Sequence, residues 1–428
     1  MTQRISVKNF LVVKKAELDI KRVNVLIGPQ ANGKSIIAKL VYFFKSNSRH
    51  INEAIRLDKT KRELDKSILD SFEERFPRYS WDATAFSIEY EFENVRFKIV
   101  GTKNSRGNKT NLSIEYSPEL NNYIKKCKRC YQKSLTEARK QKDGQFISHT
   151  VERHLFFERV DEGHKDSPFK ELFSNTAFIP ASRSFFANLQ KNIFTFLASN
   201  LDIDPFLKEF GGLYESSKRW YATAILKREF KDLSTELSDG LKSVVGGDYQ
   251  FHEDQDWIVA KSRKINLANA SSGQQESLPM LLVLSTWPLM SKMSFARRGN
   301  FSSTLFIEEP EAHLFPTSQS HIMSLLSVLY ASSDTDFFIT THSPYILSAL
   351  NNLVLAKSKV DEGKITVEEF TKINGGGRPV SYDDISAHTI SQGQLEQITD
   401  DEYQMIGADM LDSVSEHFES VMNNLLER

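Results

Sequence analysis

Apolar and polar residues form two patterns along this chain, and each pattern predicts a different kind of strand. Alternation of apolar and polar residues predicts strands with one covered face, and it occurs at 5–10, 16–20, 85–92, 95–100 and 112–116. Short turns join the last three of these strands, which predicts an antiparallel sheet. Unbroken apolar runs predict strands covered on both faces of a parallel sheet, and they occur at 23–27, 304–307 and 336–340.

Longer stretches have the apolar spacing of helices, and they predict helices at about 52–74, 120–160 and 192–245. The second of these stretches is strongly basic and is interrupted near Asp143-Gly144, as expected of an insertion. A short strand is predicted at 177–180 and a hairpin over 249–260. The chain is therefore predicted to be an α/β protein in three parts: a first lobe at 1–116, a basic helical insertion at 117–165, and the remaining α/β region with a C-terminal tail at 166–428.

A glycine-rich octet joins the apolar strand at 23–27 to the next helix, and it reads Gly28-Pro29-Gln30-Ala31-Asn32-Gly33-Lys34-Ser35. In this setting the glycines let the backbone turn its N–H groups inward, and the positive end of the helix faces a bound anion. Lys34 is expected to reach the β- and γ-phosphates, and the hydroxyl of Ser35 to ligate Mg²⁺. The octet and Ile36, which opens the apolar face of the helix, are therefore predicted to bind ATP.

Acidic and imidazole side chains follow the other two buried strands, where the second half of such a site is needed. Glu308 is expected to hold the Mg²⁺ shell, and Glu309 to polarise the water that attacks the γ-phosphate. His342 comes after the next strand and is placed to touch the terminal phosphate. A second glycine-containing turn precedes an apolar helix and predicts another anion-facing helix start; it comprises Ser271, Ser272, Gly273, Gln274 and Gln275.

Composition restricts the classes of protein to which the chain can belong. Its 428 residues are 40% hydrophobic and 26% charged, which allows a large core and two or three subdomains. No apolar run is long enough to cross a bilayer and the N-terminus lacks a signal-peptide core, so a cytoplasmic protein is expected. A net charge of −1 gives no global reason to bind nucleic acid, and two cysteines exclude a disulfide framework.

Together these motifs resemble the ABC-type ATPase heads of the RecF, SMC and OLD group. The segments EEPEAHL at 308–314 and THSP at 341–344 are most similar to OLD-type ATPases of bacterial anti-phage systems. The resemblance implies a P-loop NTPase fold and an ATP sandwich, in which Ser272 and Gly273 of one chain cap the γ-phosphate held by another. It also implies that Lys34, Glu309 and His342 are catalytic, and that the loop Ala312-His313-Leu314 crosses the dimer interface.

The sequence departs from the family pattern at several positions. Gln274 stands where the family often has a second glycine, and Glu308 stands where many members have aspartate; the longer arm implies that Mg²⁺ is held through water. The segment 178–183 occupies the place of a loop that usually carries glutamine, and Arg183 in it is either a phosphate or interface sensor or a surface or structural arginine. OLD-type nucleases continue into a Toprim domain, which is not expected here because 86 residues (428 − 342) follow His342.

The predicted insertion carries a cluster of positive charge opposed locally only by Glu137 and Asp143. Its members lie within 125–142 and are Lys125, Lys126, Lys128, Arg129, Lys133, Arg139, Lys140 and Lys142. They form either a salt-sensitive contact with DNA phosphates, without sequence preference, or a solvated or partner-docking helix face. Cys127 and Cys130 lie in the same segment, either as two free thiols or as half of a zinc site that a second chain completes.

The sequence thus predicts an enzyme that hydrolyses ATP with Mg²⁺ and forms homo-oligomers through ATP-sandwich pairs. In the leading interpretation this assembly controls a separate effector, a nuclease or toxin, in anti-phage defence. The alternative is a RecF-like repair or recombination factor that ATP clamps onto DNA, which the basic segment supports. A third interpretation, suggested by the missing loop glutamine, is an ATP sensor that does not hydrolyse its ligand.

Overall fold

The fold is taken from a computed structural model that describes residues 3–141, 174–187, 203–261, 263–295 and 303–407, with the single positions 152, 155, 156, 169, 189 and 422. Parts of two predicted helical stretches, together with Lys142 and Asp143-Gly144, lie outside the described residues. No helix within the described ranges is long and apolar enough to cross a membrane.

The described strands belong to one large sheet and two small ones. In chain order they are β1 (Gln3–Phe10), β2 (Val13–Ile20), β3 (Val23–Ile27), β4 (Phe86–Phe92), β5 (Val95–Lys103), β6 (Thr110–Tyr116), β7 (Asn175–Ile179), β8 (Asp248–His252), β9 (Gln255–Ala260), β10 (Arg263–Asn266), β11 (Ser303–Glu308), β12 (Thr335–Thr341), β13 (Ile385–Ser391), β14 (Gln394–Gln397), β15 (Thr399–Asp400) and β16 (Met405–Ile406). The large sheet has the order β6-β5-β4-β1-β2-β14-β13-β3-β12-β11-β7, while β8 to β10 and the pair β15–β16 form the small sheets.

Helices cover the faces of the large sheet. The described α-helices are α1 (Lys34–Ser46), α2 (Ser48–Arg56), α3 (Lys61–Arg75), α4 (Pro118–Gln141), α5 (Pro205–Ala222), α6 (Ala224–Glu229), α7 (Lys231–Val245), α8 (Ser272–Phe295), α9 (Pro316–Ser332), α10 (Pro344–Asp361) and α11 (Val367–Asn374). The helical stretch predicted at 52–74 is divided in two, because Thr60 and Glu63 form a capping box that starts α3.

The large sheet has a parallel half and an antiparallel half. β7, β11, β12, β3 and β13 run parallel to one another, whereas β6, β5, β4, β1 and β2 are antiparallel. β14 joins the halves, and the N–H groups of Lys14 and Lys15 donate to the carbonyl oxygen of Gly393. This is the predicted α/β fold with a mixed and an antiparallel part, and the predicted antiparallel strands belong to the same sheet as the parallel ones.

Each unbroken apolar strand contributes side chains to two separate hydrophobic cores, one on each face of the sheet. In β3, Val25 and Ile27 pack into the core beneath α8, α9 and α10, whereas Leu26 faces the core formed by α1 and the antiparallel strands. Phe178 and Phe306 from β7 and β11 pack edge-on against Tyr42 of α1. Because both faces of the parallel half are covered, these strands lack the polar alternation of the outer strands.

The basic segment belongs to α4, and this helix packs onto the antiparallel half of the sheet. Its buried residues recur at helical spacing and join the same core as α1; they are Leu120, Ile124, Cys127, Tyr131 and Leu135. The opposite face carries most of the predicted positive cluster, including the exposed Lys125, Lys126 and Arg129. The apolar face of α4 thus packs into the same core as α1. The predicted domain boundaries at 116/117 and 165/166 stay a prediction.

A stability prediction follows from His388, a buried residue of β13. Burial lowers the pKa of its imidazole to about 4, and the charge of Asp19 opposes this shift. Since only the unfolded chain then takes up the proton near the ordinary imidazole pKa of 6.5, folding stability is present above that pH and is lost as the pH falls towards 4. Between pH 7 and about pH 4.5, we expect the free energy of unfolding of His388→Gln to fall by about 2–3 kcal/mol less than that of the parent protein.

Urea denaturation at the two pH values measures this difference. The exposed His252 offers a matched control, and His252→Gln should keep the pH dependence of the parent protein. An identical pH dependence in the His388→Gln and parent proteins would contradict the burial argument.

Candidate functional site

Four loops that follow parallel strands meet at one edge of the large sheet. Because β3, β7, β11 and β12 are parallel, their carboxyl ends lie on the same side. The four loops contain residues 28–33, 180–183, 309–315 and 342–343. The structure therefore brings together the predicted phosphate loop, the acidic pair and His342, which are far apart in the sequence.

The phosphate loop has the backbone that its glycines predict. Gly28 and Gly33 have φ of 145° and 102°, and Ala31 also has a positive φ of 61°. Gly33 is the N-cap of α1 and leaves the first N–H groups of the helix without a side-chain cap. A Cβ on Gly33 would lie 2.8 Å from Cγ2 of Val13. Close packing and the left-handed backbone both require glycine here, and the open helix start remains available to an anion.

Lys34 lies between the phosphate loop and His342, which is predicted to be catalytic. Its Nζ donates to the carbonyl oxygens of Gly28 and Pro29 at 2.7 and 2.8 Å and lies 3.3 Å from Nδ1 of His342. Burial lowers the pKa of the Lys34 ammonium, while the charges of Glu309 and Glu311 raise it. The ammonium is thus held at the mouth of the loop by two backbone carbonyl oxygens, and its contact with phosphates stays a prediction.

Glu309 and His342 form the centre of the site. Oε1 of Glu309 lies 3.2 Å from Nε2 of His342, so Lys34, His342 and Glu309 make a continuous chain of polar contacts. Glu309 has a φ of 45°, and its N–H donates to the carbonyl oxygen of Thr340 at 2.8 Å. Such a backbone costs about 1–3 kcal/mol in a residue other than glycine and is typical of functional sites.

The residues present fit a Mg²⁺ ion beside the phosphate loop. Oε2 of Glu308 accepts a hydrogen bond from the N–H of Ala181 at 3.2 Å, whereas Oε1 is buried and has no hydrogen-bond partner. A buried carboxylate oxygen of this kind is suited to a cation. The described residues contain no group of three or more His, Cys, Asp or Glu that could hold a metal, but Mg²⁺ in nucleotide sites needs only one or two protein ligands. Glu308 and Ser35 stay the predicted ligands.

The second glycine-containing turn, residues 271–275, forms the start of α8 and is here called the signature turn. Ser271 and Gln274 cap this helix: the N–H of Ser271 donates to Oε1 of Gln274 at 3.1 Å, and the N–H of Gln274 donates to Oγ of Ser271 at 3.4 Å. Gln274 also donates to the carbonyl oxygen of Val245, and Gln275 donates to that of Leu267. Gln274 in place of the family's glycine thus serves the cap, and Ser271 and Ser272 remain exposed.

The predicted interface loop packs against this helix start within the same chain. A Cβ on Gly273 would lie 2.7 Å from the carbonyl oxygen of His313 and 3.3 Å from Cδ2 of Leu314. Glycine is therefore required at this crossing because the two backbones touch. Ala312 is partly buried, His313 is exposed, and the next residue, Phe315, is 74% exposed. The loop and the signature turn form one continuous surface.

Arg183 is fully buried, which excludes a surface arginine, and its role as a phosphate or interface sensor stays a prediction. Its guanidinium donates to the carbonyl oxygens of Pro180, Glu276, Glu308 and Glu309. Burial lowers its pKa, and nearby glutamates, Glu276 first, oppose this. Every guanidinium nitrogen is therefore engaged by a backbone carbonyl oxygen in the protein interior.

Sequence reasoning assigned no role to several residues that complete the site. Glu311 accepts a hydrogen bond from the N–H of His342 through Oε1 at 2.6 Å, and its Oε2 is buried without a partner. Ile390 of β13 offers its carbonyl oxygen to Nδ2 of Asn32 at 3.3 Å and lies against Gly28. Glu311 stands inside the quoted EEPEAHL segment, which was an available signal. Ile390 had none, because its place depends on β13 pairing with β3.

The two cysteines and the acidic residues of the tail lie elsewhere. Cys127 is buried, which raises the pKa of its thiol to about 12, whereas Cys130 is exposed. The two cysteines form no disulfide, and the burial of Cys127 does not favour a zinc site shared with another chain, which stays a prediction. Glu362, in the C-terminal region, is the C-cap of α10 and forms ion pairs with Lys359 and Lys364.

Comparison of the sequence with models of known protein families places the chain in a family of ATPases. The chain belongs to the AAA ATPase domain family, which it matches over residues 1–347. No protein of curated function matches the sequence. The fold itself is defined by the strand order and the motif positions described above.

Solved structures similar to this chain include two SMC heads and one RecF. An SMC head bound to the C-winged helix domain of ScpA is 11% identical, with 93% of this chain and 96% of that chain covered and a TM-score of 0.38. The SMC head domain from Thermotoga maritima is 9% identical, with 93% of this chain and 98% of that chain covered and a TM-score of 0.36. The recombination mediator protein RecF is 10% identical, with 93% of this chain and 98% of that chain covered and a TM-score of 0.32.

Proposed function

We propose that this protein hydrolyses ATP in composite sites, each formed by the phosphate loop of one chain and the signature turn of another. The observation that carries the proposal is the polar chain from Lys34 through His342 to Glu309, together with the buried oxygen of the preceding residue, Glu308, which has no hydrogen-bond partner. A cation-binding carboxylate, a base and a phosphate-binding lysine are the groups that phosphoryl transfer to water requires.

The side chains have separate tasks in this mechanism. The N–H groups at the start of α1 and the ammonium of Lys34 bind the phosphates, and Glu309 orients the attacking water and accepts its proton. His342 lies between these two groups and is positioned to contact the γ-phosphate. Ser35 and Glu308 would hold Mg²⁺, which supplies charge neutralisation at the β- and γ-phosphates.

The proposed second half of each site is the exposed start of α8 in a neighbouring chain. Ser271 caps this helix start by accepting a hydrogen bond from the N–H of Gln274. A helix start of this kind is suited to a γ-phosphate. Light scattering of the Mg²⁺-ATP form tests this proposal: the expected species has at least twice the 49.0 kDa of one chain. A single-chain mass under conditions in which ATP is bound would contradict it.

Two exposed aromatic residues lie next to the proposed interface. Phe315 follows the interface loop and is 74% exposed, and Tyr345 follows His342 by three positions and is 52% exposed. The starts of α9 and α10 are linked, because Oε1 of Gln319 accepts a hydrogen bond from Oγ of Ser343 at 2.6 Å. Exposed aromatic side chains beside a functional surface are typical anchors of interfaces.

We therefore expect Phe315→Ser and Tyr345→Ser each to weaken ATP-dependent dimerisation about 10-fold, as measured by analytical ultracentrifugation. ATP affinity should change little, because neither side chain belongs to the phosphate loop. Ile373, which is 77% exposed on α11, provides the matched control Ile373→Ser. Equal dimer affinity in all three variants would remove these aromatics from the interface.

We further propose that the assembly regulates a separate effector, a nuclease or toxin, in anti-phage defence. This finer function rests on the resemblance of the 308–314 and 341–344 segments to OLD-type ATPases. Phage challenge of cells that carry the gene with its neighbouring genes tests it. Protection that disappears with Glu309→Gln or with deletion of a neighbouring nuclease gene would support it, and unchanged plating would contradict it.

The exposed basic face of α4 favours a second candidate, ATP-dependent DNA binding. Lys125, Lys126 and Arg129 are exposed on the side of α4 opposite its buried stripe. Replacing all three with glutamine should reduce DNA affinity and make the salt dependence shallower by about three counterions. ATP-stimulated DNA binding that responds in this way would favour the RecF-like function; absence of DNA binding would favour the effector function.

A further inference from the structure

Arg183 and Glu276 form a buried ion pair between the start of α8 and the loop that follows β7. Arg183 is 0% exposed and Glu276 is 4% exposed. Nε of Arg183 lies 3.6 Å from Oε2 of Glu276 and donates to its carbonyl oxygen at 3.0 Å. The N–H of Arg183 also donates to Oε2 at 2.8 Å, and Oγ of Ser184 donates to Oε1 at 2.6 Å. The carboxylate of Glu276 therefore ties α8 firmly to this loop.

The other end of the guanidinium holds the backbone of the catalytic acidic pair. Nη1 of Arg183 donates to the carbonyl oxygen of Glu308 at 2.7 Å, and Nη2 donates to that of Glu309 at 3.0 Å. Glu309 has a positive φ of 45°. A strained residue of this kind keeps its conformation only while surrounding contacts fix it, and Arg183 supplies one of them.

The same helix start touches the acidic loop by a second route. Gly273, three residues before Glu276, packs against the carbonyl oxygen of His313. A shift of the first turn of α8 must therefore move both the loop after β11 and the Arg183 guanidinium. Close-packed interiors transmit such shifts because they leave no room to absorb them.

We propose that Arg183 is a positioning residue that couples the signature turn of a chain to Glu309 of the same chain. This inference rests on the proposed ATP sandwich, in which the signature turn contacts the nucleotide of the neighbouring chain. Engagement of Ser272 at one composite site then sets Glu309 at the other site. ATP hydrolysis at the paired sites is consequently cooperative, with a Hill coefficient above one.

Stability alone does not account for this arrangement. A buried ion pair adds little net stability relative to apolar residues of the same volume, whereas it fixes the relative geometry of its partners. The planar guanidinium reaches three separate segments at once, and a lysine in its place offers one ammonium that cannot span them. The coupling therefore depends on arginine and is testable by a substitution that retains the charge.

Steady-state ATP turnover and nucleotide binding of Arg183→Lys test the proposal. We expect kcat to fall about 10- to 100-fold through misplacement of Glu309, and the Hill coefficient to fall towards one. ATP affinity and ATP-dependent dimerisation should persist, because Arg183 contacts neither the phosphate loop nor the exposed surface. Glu276→Gln, which is isosteric, should produce the same pattern to a smaller extent and decides the matter if Arg183→Lys does not fold.

A second buried ion pair provides the control for general destabilisation. Lys218 of α5 and Asp256 of β9 lie 3.2 Å apart, are 2% and 0% exposed, and belong to none of the four loops of the site. Asp256→Asn should lower thermal stability but leave the Hill coefficient unchanged. The coupling is refuted if Arg183→Lys keeps the parent kcat and Hill coefficient, or if Asp256→Asn lowers the Hill coefficient equally. A parent protein that never dimerises with ATP would instead refute the sandwich itself.

Discussion

Glu309→Gln is expected to stop ATP turnover while ATP stays bound. The amide keeps the size of the side chain but cannot accept a proton from the attacking water, so kcat should fall about 10²- to 10⁴-fold. ATP affinity should persist because Lys34 and the start of α1 are untouched. Phosphate release measures the first effect, and light scattering should show the ATP-bound assembly accumulating, since the step that dissolves it is blocked.

Glu311→Gln is the matched control for Glu309→Gln. Glu311 is the neighbouring carboxylate of the same loop, and its amide still offers an oxygen to the N–H of His342, which now lies 2.6 Å from Oε1. We expect a smaller fall in kcat and no accumulation of the ATP-bound assembly. Equal effects of the two substitutions would remove Glu309 from its assigned role as the base.

Lys34→Ala is expected to abolish nucleotide binding itself. The substitution removes the ammonium that is held 2.7 and 2.8 Å from the carbonyl oxygens of Gly28 and Pro29 and that must transfer to the phosphates. Charge-assisted hydrogen bonds contribute about 1.5–3 kcal/mol each, so ATP affinity should fall by about 10²-fold or more. Titration calorimetry measures the loss, and ATP should no longer raise the melting temperature.

Lys39 supplies the matched lysine on the same helix. It forms an ion pair with Asp204 at 3.3 Å, and Lys39→Ala should leave ATP affinity unchanged. Parent-like affinity in Lys34→Ala would contradict the assignment of the phosphate loop. Loss of affinity in both variants would show that the effect belongs to α1 as a whole.

The contiguous parts of the site are those that the sequence predicts well. The phosphate loop is a single octet whose glycines, strand and helix can be read together, and its positive φ values at Gly28 and Gly33 follow from that pattern. Ser271 and Gln274 likewise stand three apart, as a helix cap requires. Local spacing determines these features, so no tertiary contact was needed to predict them.

Other parts depend on contacts between distant segments and were not predictable in the same way. Arg183 lies 93 positions from Glu276 and 125 from Glu308. Its burial and its hydrogen-bond partners could therefore not be predicted from local spacing. Asn32 and Ile390 are separated by 358 positions, and only the pairing of β13 with β3 brings them together. The basic run in α4 could be read as charge, but its buried stripe is what orients that charge.

The central claim is that two copies of this chain share each nucleotide, and site-directed cross-linking tests it most directly. Gln30 and Ser272 are both exposed, one in the phosphate loop and one in the signature turn. Cysteine is introduced at one of these positions per chain, in Glu309→Gln protein that also carries Cys130→Ser. Cys127 can remain, because burial raises the pKa of its thiol to about 12.

A mixture of the two singly substituted proteins is treated with a short bismaleimide. The account predicts a cross-linked dimer in the mixture with Mg²⁺-ATP, with little product from either protein alone or without nucleotide. A mixture that binds ATP but forms no such product, or forms it equally without ATP, would contradict the shared site.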